Sequence, residues 1–196
     1  QLRTNLPEGV IISVDTTSSE VAEAAISLGV EMINDVSGGK DDDNMMALVA
    51  KHNLYYCIMH MQGSPKTMQD NPTYDNVISD IVKFLNLQAD RAVNLGIQKE
   101  KIILDPGIGF GKNTEHNLDI LKNLDVFANL GYYTLLGTSR KKIFSEVSGN
   151  NNPEDRVAGT CATSALGVIS NINIFRVHDV WQNKQAIDIA FAIKNN

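Results

Sequence analysis

A chain of 196 residues, 43% hydrophobic, is long enough to bury a core and is read as a single domain, 1–196. Its formal charge of -6, from 17 Lys and Arg against 23 Asp and Glu, argues against electrostatic binding to nucleic acid or to an anionic membrane, which needs clustered bases. Two cysteines are too few for a disulfide scaffold or a zinc site, and no apolar run approaches the ~20 residues of a spanning helix, so a reducing, cytoplasmic setting is the default expectation. The start, Gln1-Leu2-Arg3-Thr4-Asn5, lacks the apolar segment of a signal peptide.

Short apolar runs ending on polar residues recur along the chain. The first, 10–16, closes on Asp15-Thr16, and Thr17 with Glu20 has capping-box spacing for a helix over about 18–28, its apolar face drawn from Val21, Ala24, Ala25 and Leu28 and its stop from Gly29. A second run, 31–35, ends at Asn34-Asp35 and leads through a glycine and aspartate loop to a helix carrying Met45, Met46, Leu48 and Val49. The third, 55–63, reaches Met59-His60. Residues 62–74, with two prolines and no period, form a long loop of the kind more often functional than not. A long helix over about 75–95 follows, with Val77, Ile81, Phe84, Leu85, Gln88, Ala92 and Leu95 at helical spacing and Gly96 as its stop. The fourth run, 101–107, enters Asp105-Pro106-Gly107-Ile108-Gly109-Phe110-Gly111-Lys112. Asn113 or Thr114 then caps a helix extending to about 129. The fifth, 133–141, ends at Gly137-Thr138-Ser139-Arg140-Lys141. Beyond it, Asn150-Asn151-Asn152-Pro153 divides two helical pieces, the second rich in small residues from Val157 to Ile169. The sixth, 173–179, ends at Arg176-Val177-His178-Asp179, and a last helix spans about 183–194.

Strand and helix alternate throughout, which predicts parallel βα units whose strands open their carboxyl ends on one face. The expected fold is α/β, a TIM (β/α)8 barrel with about six βα units visible. Eight strands close such a barrel, so two further βα units are expected before residue 1.

The strand ends carry the chemistry. Asp15, Asn34, Asp105, Lys141, Arg176 and His178 lie at or just beyond the ends of five of the runs, the last two sharing one, and their convergence suits a planar, hydrogen-bond-rich ligand with an anionic group. A carboxylate such as Asp105 accepts two parallel N–H bonds from a guanidine-like edge, and Asn34 both donates and accepts. Arg176 and His178, two positions apart and hence on one side of a strand, make an anion clamp. Each residue alone suits a blander role: a capping acid at Asp15 or Asp35, a core histidine at His60, a solvated base at Lys141. The glycines 107–111 fit neither a dinucleotide fingerprint nor a Walker loop.

Ile12-Ser13-Val14-Asp15-Thr16, Ile33-Asn34-Asp35-Val36-Ser37-Gly38, Met59-His60-Met61-Gln62-Gly63 with Pro65-Lys66-Thr67-Met68, Leu104 through Lys112, Ser139-Arg140-Lys141 and Arg176-Val177-His178-Asp179-Val180 together resemble the dihydropteroate synthase family over essentially the whole chain. Asp-Pro-Gly-x-Gly-Phe-Gly or Ile-Asn-Asp alone would also suit corrinoid methyltransferases that bind methyl-tetrahydrofolate on a similar barrel; the Ser139 and Arg176 motifs tip the balance. The resemblance implies condensation of 6-hydroxymethyl-7,8-dihydropterin diphosphate with p-aminobenzoate, giving 7,8-dihydropteroate and pyrophosphate. By similarity Asp15, Asn34 and Asp105 hold the pterin, Lys141 reaches its ring oxygen and nitrogen, and Met59 packs on its face. Arg176, His178 and the Asn34 region bind the diphosphate. Phe110, Ser139 and Lys141 border the p-aminobenzoate pocket, where sulfonamides bind in this family, and Lys141, Arg176 and His178 form the catalytic set. It also implies Mg2+ held partly by an asparagine of an earlier strand outside this sequence, and a homodimer formed through the last helices. A pterin-binding piece without catalysis of its own is the remaining alternative.

Overall fold

The structure, a computed structural model, describes residues 2–64, 67–149 and 151–196. Gln1, Pro65 and Lys66 of the long-loop motif, and Asn150 of the linker lie outside the described residues. A short helix α1 (Leu2–Asn5) leads to β1 (Ser13–Asp15), α2 (Ser19–Ser27), β2 (Met32–Asp35), α3 (Met45–Lys51), β3 (Tyr55–Met59) and α4 (Val77–Asn94). Then come β4 (Ile102–Asp105), α5 (Thr114–Lys122), α6 (Leu124–Ala128), β5 (Tyr133–Leu136), α7 (Lys142–Ser148), α8 (Val157–Ile169), β6 (Ile174–Phe175) and α9 (Val180–Asn195). Single 3-10 turns at Lys99–Lys101 and Pro153–Arg156 precede β4 and α8.

The strands form one sheet in the order β1-β2-β3-β4-β5-β6, and every neighbouring pair is parallel. Each pair is joined by a helical crossover, as the alternating sequence requires. Central strands are covered on both sides and therefore read as unbroken apolar runs. Ile33, Tyr56, Ile58, Ile102, Leu104 and Leu136 point to the helix layer, where they meet Ile81, Leu85, Ile120, Leu124 and Phe127. On the opposite side Cys57, Ile103 and Leu135 pack with Met32, Tyr55 and Ile174 into a second, smaller cluster. That cluster is the concave interior of the curled sheet.

The long fourth helix follows its sequence closely. Asn76 caps it by accepting the Ser79 N–H at 2.9 Å, and Val77, Ile81, Leu85, Ala89 and Ala92 form the buried stripe. Ile81 and Leu85, both with no exposed surface, contribute roughly 2 kcal/mol each through burial. Leu95 stands outside that stripe, 43% exposed as the C-cap.

Other boundaries differ from expectation, each for a local reason. Helix α2 is capped by Ser18, not Thr17, because the Thr16 hydroxyl takes the Ser18 N–H at 3.1 Å and turns the chain one residue later. It packs through Ala22 and Ile26, leaving Val21 and Leu28 exposed. The helix expected to run to about 129 breaks at Asn123, whose ψ of +35° leaves the helical range while its amide bonds the Asp119 carbonyl. The break lets Leu124 and Phe127 reach the core. Helix α9 begins at Val180 rather than 183. Only Ser13–Asp15 of the first run pairs, since β1 has a neighbour on one side alone, and Val10 and Ile11 remain exposed. No helix among the described residues is long and apolar enough to cross a membrane.

Candidate active site

Strand periodicity builds the site. Met32, Cys57, Ile103 and Ile174 lie in the concave apolar cluster, so the residues two positions onward, Asn34, Met59, Asp105 and Arg176, share that face one layer nearer the carboxyl ends. Asp15, in register with Asn34, completes the layer on β1. Polar side chains thus cap an apolar floor, and Cys57, fully buried beneath them, has its thiol pushed well up by burial and then by the Asp105 and Asp15 charges overhead.

Asn34 Nδ2 donates to Asp15 Oδ1 at 2.9 Å, and Arg176 Nη2 pairs with the other Asp15 oxygen, joining β6 to β1. The Asn34 Oδ1 is buried without a partner. An orphaned acceptor at a strand end is costly unless something binds there. Asp105 is nearly enclosed and accepts the Gly107 N–H at 2.7 Å. Burial raises its carboxyl, while Lys141 first, then the Gly107 bond, Lys112 and Arg176, draw it back down. Lys141 sits 4.5 Å over the Phe110 ring and donates to the Ile108 carbonyl. Although solvent reaches part of its side chain, desolvation brings its ammonium down to about 8 against the opposing pull of Asp105.

In the structure Arg176 and His178 take different partners. Strand pairing ends at Phe175, and the two side chains then diverge, Arg176 to Asp15 and His178 to Ser139. Ser139 Oγ accepts the His178 backbone N–H at 3.0 Å and lies 2.8 Å from Nδ1. With the serine proton on that bond, Nε2 carries the ring proton and is left as a donor. Met59 is buried beside Gly107, and Phe110 is half-buried. Phe110 and Lys141 border a groove completed by Met68, Gln69 and Pro72 of the long loop. Gln69 donates to the Gly109 carbonyl at 2.6 Å and Tyr74 to that of Gly111 at 2.7 Å, which lays the long loop over the glycine loop.

Three residues at the site have no ligand-binding role in the sequence reading, Asp35 only that of a capping acid. Arg140, at a φ of +58°, forks onto Asp179 with bonds of 2.9 and 2.6 Å and so ties the loop after β5 to the loop after β6. Asp35 faces the helix layer instead, taking the Tyr56 hydroxyl at 2.7 Å and the Ser37 and Gly39 N–H groups. It organises the loop after β2. Lys112 is the other omission: 2% exposed, it points its Nζ at His60 Nδ1 (3.0 Å) and at the carbonyls of Gly107 and Phe110 (2.9 Å each). Burial brings its ammonium down to about 7, with Asp105 opposing.

Burial, then Lys112 and Lys40, hold the His60 ring down to about 3 against an ordinary 6.5, so it is a neutral acceptor at pH 7. The unfolded chain therefore binds more protons between those values, and stability is lost as pH falls from about 6.5 toward 3. At about pH 4 the loss is at most roughly 3 kcal/mol. Urea midpoints followed from pH 7 to 4 are expected to fall less steeply in His60→Gln than in the wild type; parallel slopes would place the acid lability elsewhere.

A curled six-stranded parallel β/α sheet with charged and amide side chains ringed above an apolar floor is an architecture suited to binding a small polar molecule at its strand ends. Residues 1–178 match the family described as pterin binding enzyme, and the chain belongs to that family. The dihydropteroate synthase of Synechocystis sp. is 38% identical over 182 residues, 93% of this chain and 63% of that protein. The chain thus spans less than two thirds of that relative's length. Crystal structures of dihydropteroate synthases superpose closely. That from Thermus thermophilus with 4-aminobenzoate has a TM-score of 0.89 at 41% identity, covering 94% of this chain and 71% of that one. That from Yersinia pestis with a sulfonamide drug complex has a TM-score of 0.93 at 35% identity, covering 98% and 69%.

Proposed function

We propose that this chain supplies most of the active site of a dihydropteroate synthase acting in folate synthesis. The observation that carries the reading is the layer of Asp15, Asn34, Asp105, Lys141 and Arg176 at the strand ends, with an unpartnered acceptor on Asn34 and a near-enclosed carboxylate on Asp105. The pterin's 2-amino group and adjacent ring N–H offer two parallel donors, which Asp105 accepts; Asn34 and Asp15 take the remaining ring edge. Met59 packs against the ring, Lys141 donates to its carbonyl oxygen, and Arg176 with the His178 Nε2 donor faces the diphosphate. The Phe110, Ser139 and Lys141 side receives p-aminobenzoate. Relatives of the matched kind favour this reading over a corrinoid methyltransferase.

In the reaction the amine nitrogen forms a bond to the pterin's exocyclic methylene carbon while the bond from that carbon to the diphosphate oxygen breaks. Pyrophosphate leaves with the bonding pair, and the new secondary amine releases one proton. The aromatic amine is neutral at pH 7, so the protein's part is alignment of the two reactants and stabilisation of charge on the leaving group by Arg176 and His178. Mg2+ is the expected companion of the diphosphate. Among the described residues no group of three or more His, Cys, Asp or Glu side chains has the arrangement to hold it, so no step here runs through the ion.

The six strands are read as six of the eight in a closed barrel forming one domain. Exposed Val21 and Leu28 on α2, and Val180 and Trp181 on α9, support that reading, because these helices flank the two edges of the sheet. A cytoplasmic homodimer is part of the same proposal. Incubating the intact protein with dihydropterin diphosphate, p-aminobenzoate and Mg2+ is expected to release pyrophosphate and dihydropteroate together. Pyrophosphate release independent of p-aminobenzoate, or none, would overturn the assignment.

A further inference from the structure

Among the described residues the least exposed basic side chain, Lys112, has its Nζ outside the substrate layer. Lys112 closes the glycine loop from below, and its Nζ gathers the carbonyls of Gly107 and Phe110 at 2.9 Å, that of His60 at 3.3 Å, and His60 Nδ1 at 3.0 Å. These acceptors come from the end of β3 and from both halves of the loop after β4. From the other side Asn117 accepts the Gly109 N–H at 2.7 Å and donates to the Asn113 carbonyl at 2.8 Å, anchoring the loop to α5. The Gly107 and Phe110 carbonyls therefore turn inward to one ammonium, while those of Gly109 and Gly111 accept from the long loop. What faces outward is the functional set: the Gly107 N–H on Asp105, the Ile108 carbonyl under Lys141, and the Phe110 ring beneath that lysine.

We propose that Lys112 is a positioning residue for the pterin site, holding the 106–111 loop in the one shape that aims Asp105, Phe110 and Lys141 at the ligand. Its Nζ is taken up by three carbonyls and His60 Nδ1 rather than turned to the ligand layer, so it acts through the loop. Without it the carbonyls of His60 and Phe110 would lose the donor described for them and that of Gly107 would keep only the Phe110 N–H, a state that favours rearrangement of the loop over retention of its shape. Met replaces the stem of Lys112 with similar bulk and removes every donor.

This inference rests on the proposed function for its consequence, and two measurements on the intact protein separate them. In Lys112→Met, hydrogen exchange at the amides of Gly107, Gly109 and Phe110 is expected to quicken about tenfold or more while β3 and β4 amides keep their protection. Calorimetry well below the melting temperature is expected to show dihydropterin diphosphate bound about tenfold more weakly, an effect that mere loss of stability would not produce. Exchange that quickens uniformly or not at all overturns the proposal, as does unchanged pterin affinity beside a wild type that binds. A wild type that does not bind the pterin diphosphate overturns the proposed function instead, and the exchange pattern still decides whether Lys112 orders the loop. If the Met variant fails to fold, Lys112→Gln, which keeps one donor, is read by the same two measurements with smaller shifts expected.

Discussion

Asp105→Asn is expected to remove dihydropterin diphosphate binding from the intact protein while leaving its melting temperature unchanged or slightly raised. The carboxylate is 6% exposed, and a hydrogen bond to such a charged acceptor is worth about 1.5–3 kcal/mol. Two such bonds to the pterin's donor pair amount to about 3–6 kcal/mol, so affinity should fall at least about 100-fold. Asparagine also turns an NH2 group toward a ligand edge that itself donates, so one bond becomes a repulsion. Folding responds in the other direction. Burial already raises the Asp105 carboxyl, which means the charged form is held there at some expense, and the Asn oxygen can still accept the Gly107 N–H. Calorimetry and a thermal melt on one sample separate the two effects, and unchanged affinity would take Asp105 out of the pterin site.

What could be read from the sequence follows from what is local. Strands buried on both faces appear as apolar runs, and a polar residue two positions past an inward apolar one is bound to cap the same face; Met32 to Asn34, Ile103 to Asp105 and Ile174 to Arg176 are such steps. Helix stripes with a period near 3.6, as in α4, are equally visible. Pairings across long separations are not. Arg140 meets Asp179 39 positions on, and Lys112 meets His60 52 positions back, so each reads from sequence as an ordinary surface or core residue. The same limit hides the start of α9: Asp179 holds the cap position before Val180, but its carboxylate is on Arg140 and caps no helix N–H. Strand alternation puts Arg176 and His178 on one side, but β6 ends at Phe175 and the two side chains reach different partners, Asp15 and Ser139.

Gly107→Ala is expected to destabilise the protein by about 3 kcal/mol or more and to weaken pterin binding with it. The residue has a φ of +69°, and a Cβ built there would stand 2.0 Å from the His60 carbonyl oxygen, far inside contact distance. The left-handed backbone alone costs about 1 kcal/mol for alanine. Overlap with a backbone atom cannot be relieved by turning a side chain, so the loop must lift from the end of β3. That movement takes the Gly107 N–H from Asp105 and the Gly107 carbonyl from Lys112 together. For a chain of this size the loss corresponds to a fall of about 6–12 °C in melting temperature. Gly149→Ala is the control: its φ is +79° but nothing lies within 4 Å of the added carbon, so only the backbone cost of about 1 kcal/mol applies, a shift of about 2–4 °C. Equal shifts at the two positions would mean that the loop yields freely at Gly107, and the close seat of the glycine loop on β3 would then not be what holds Asp105 in place.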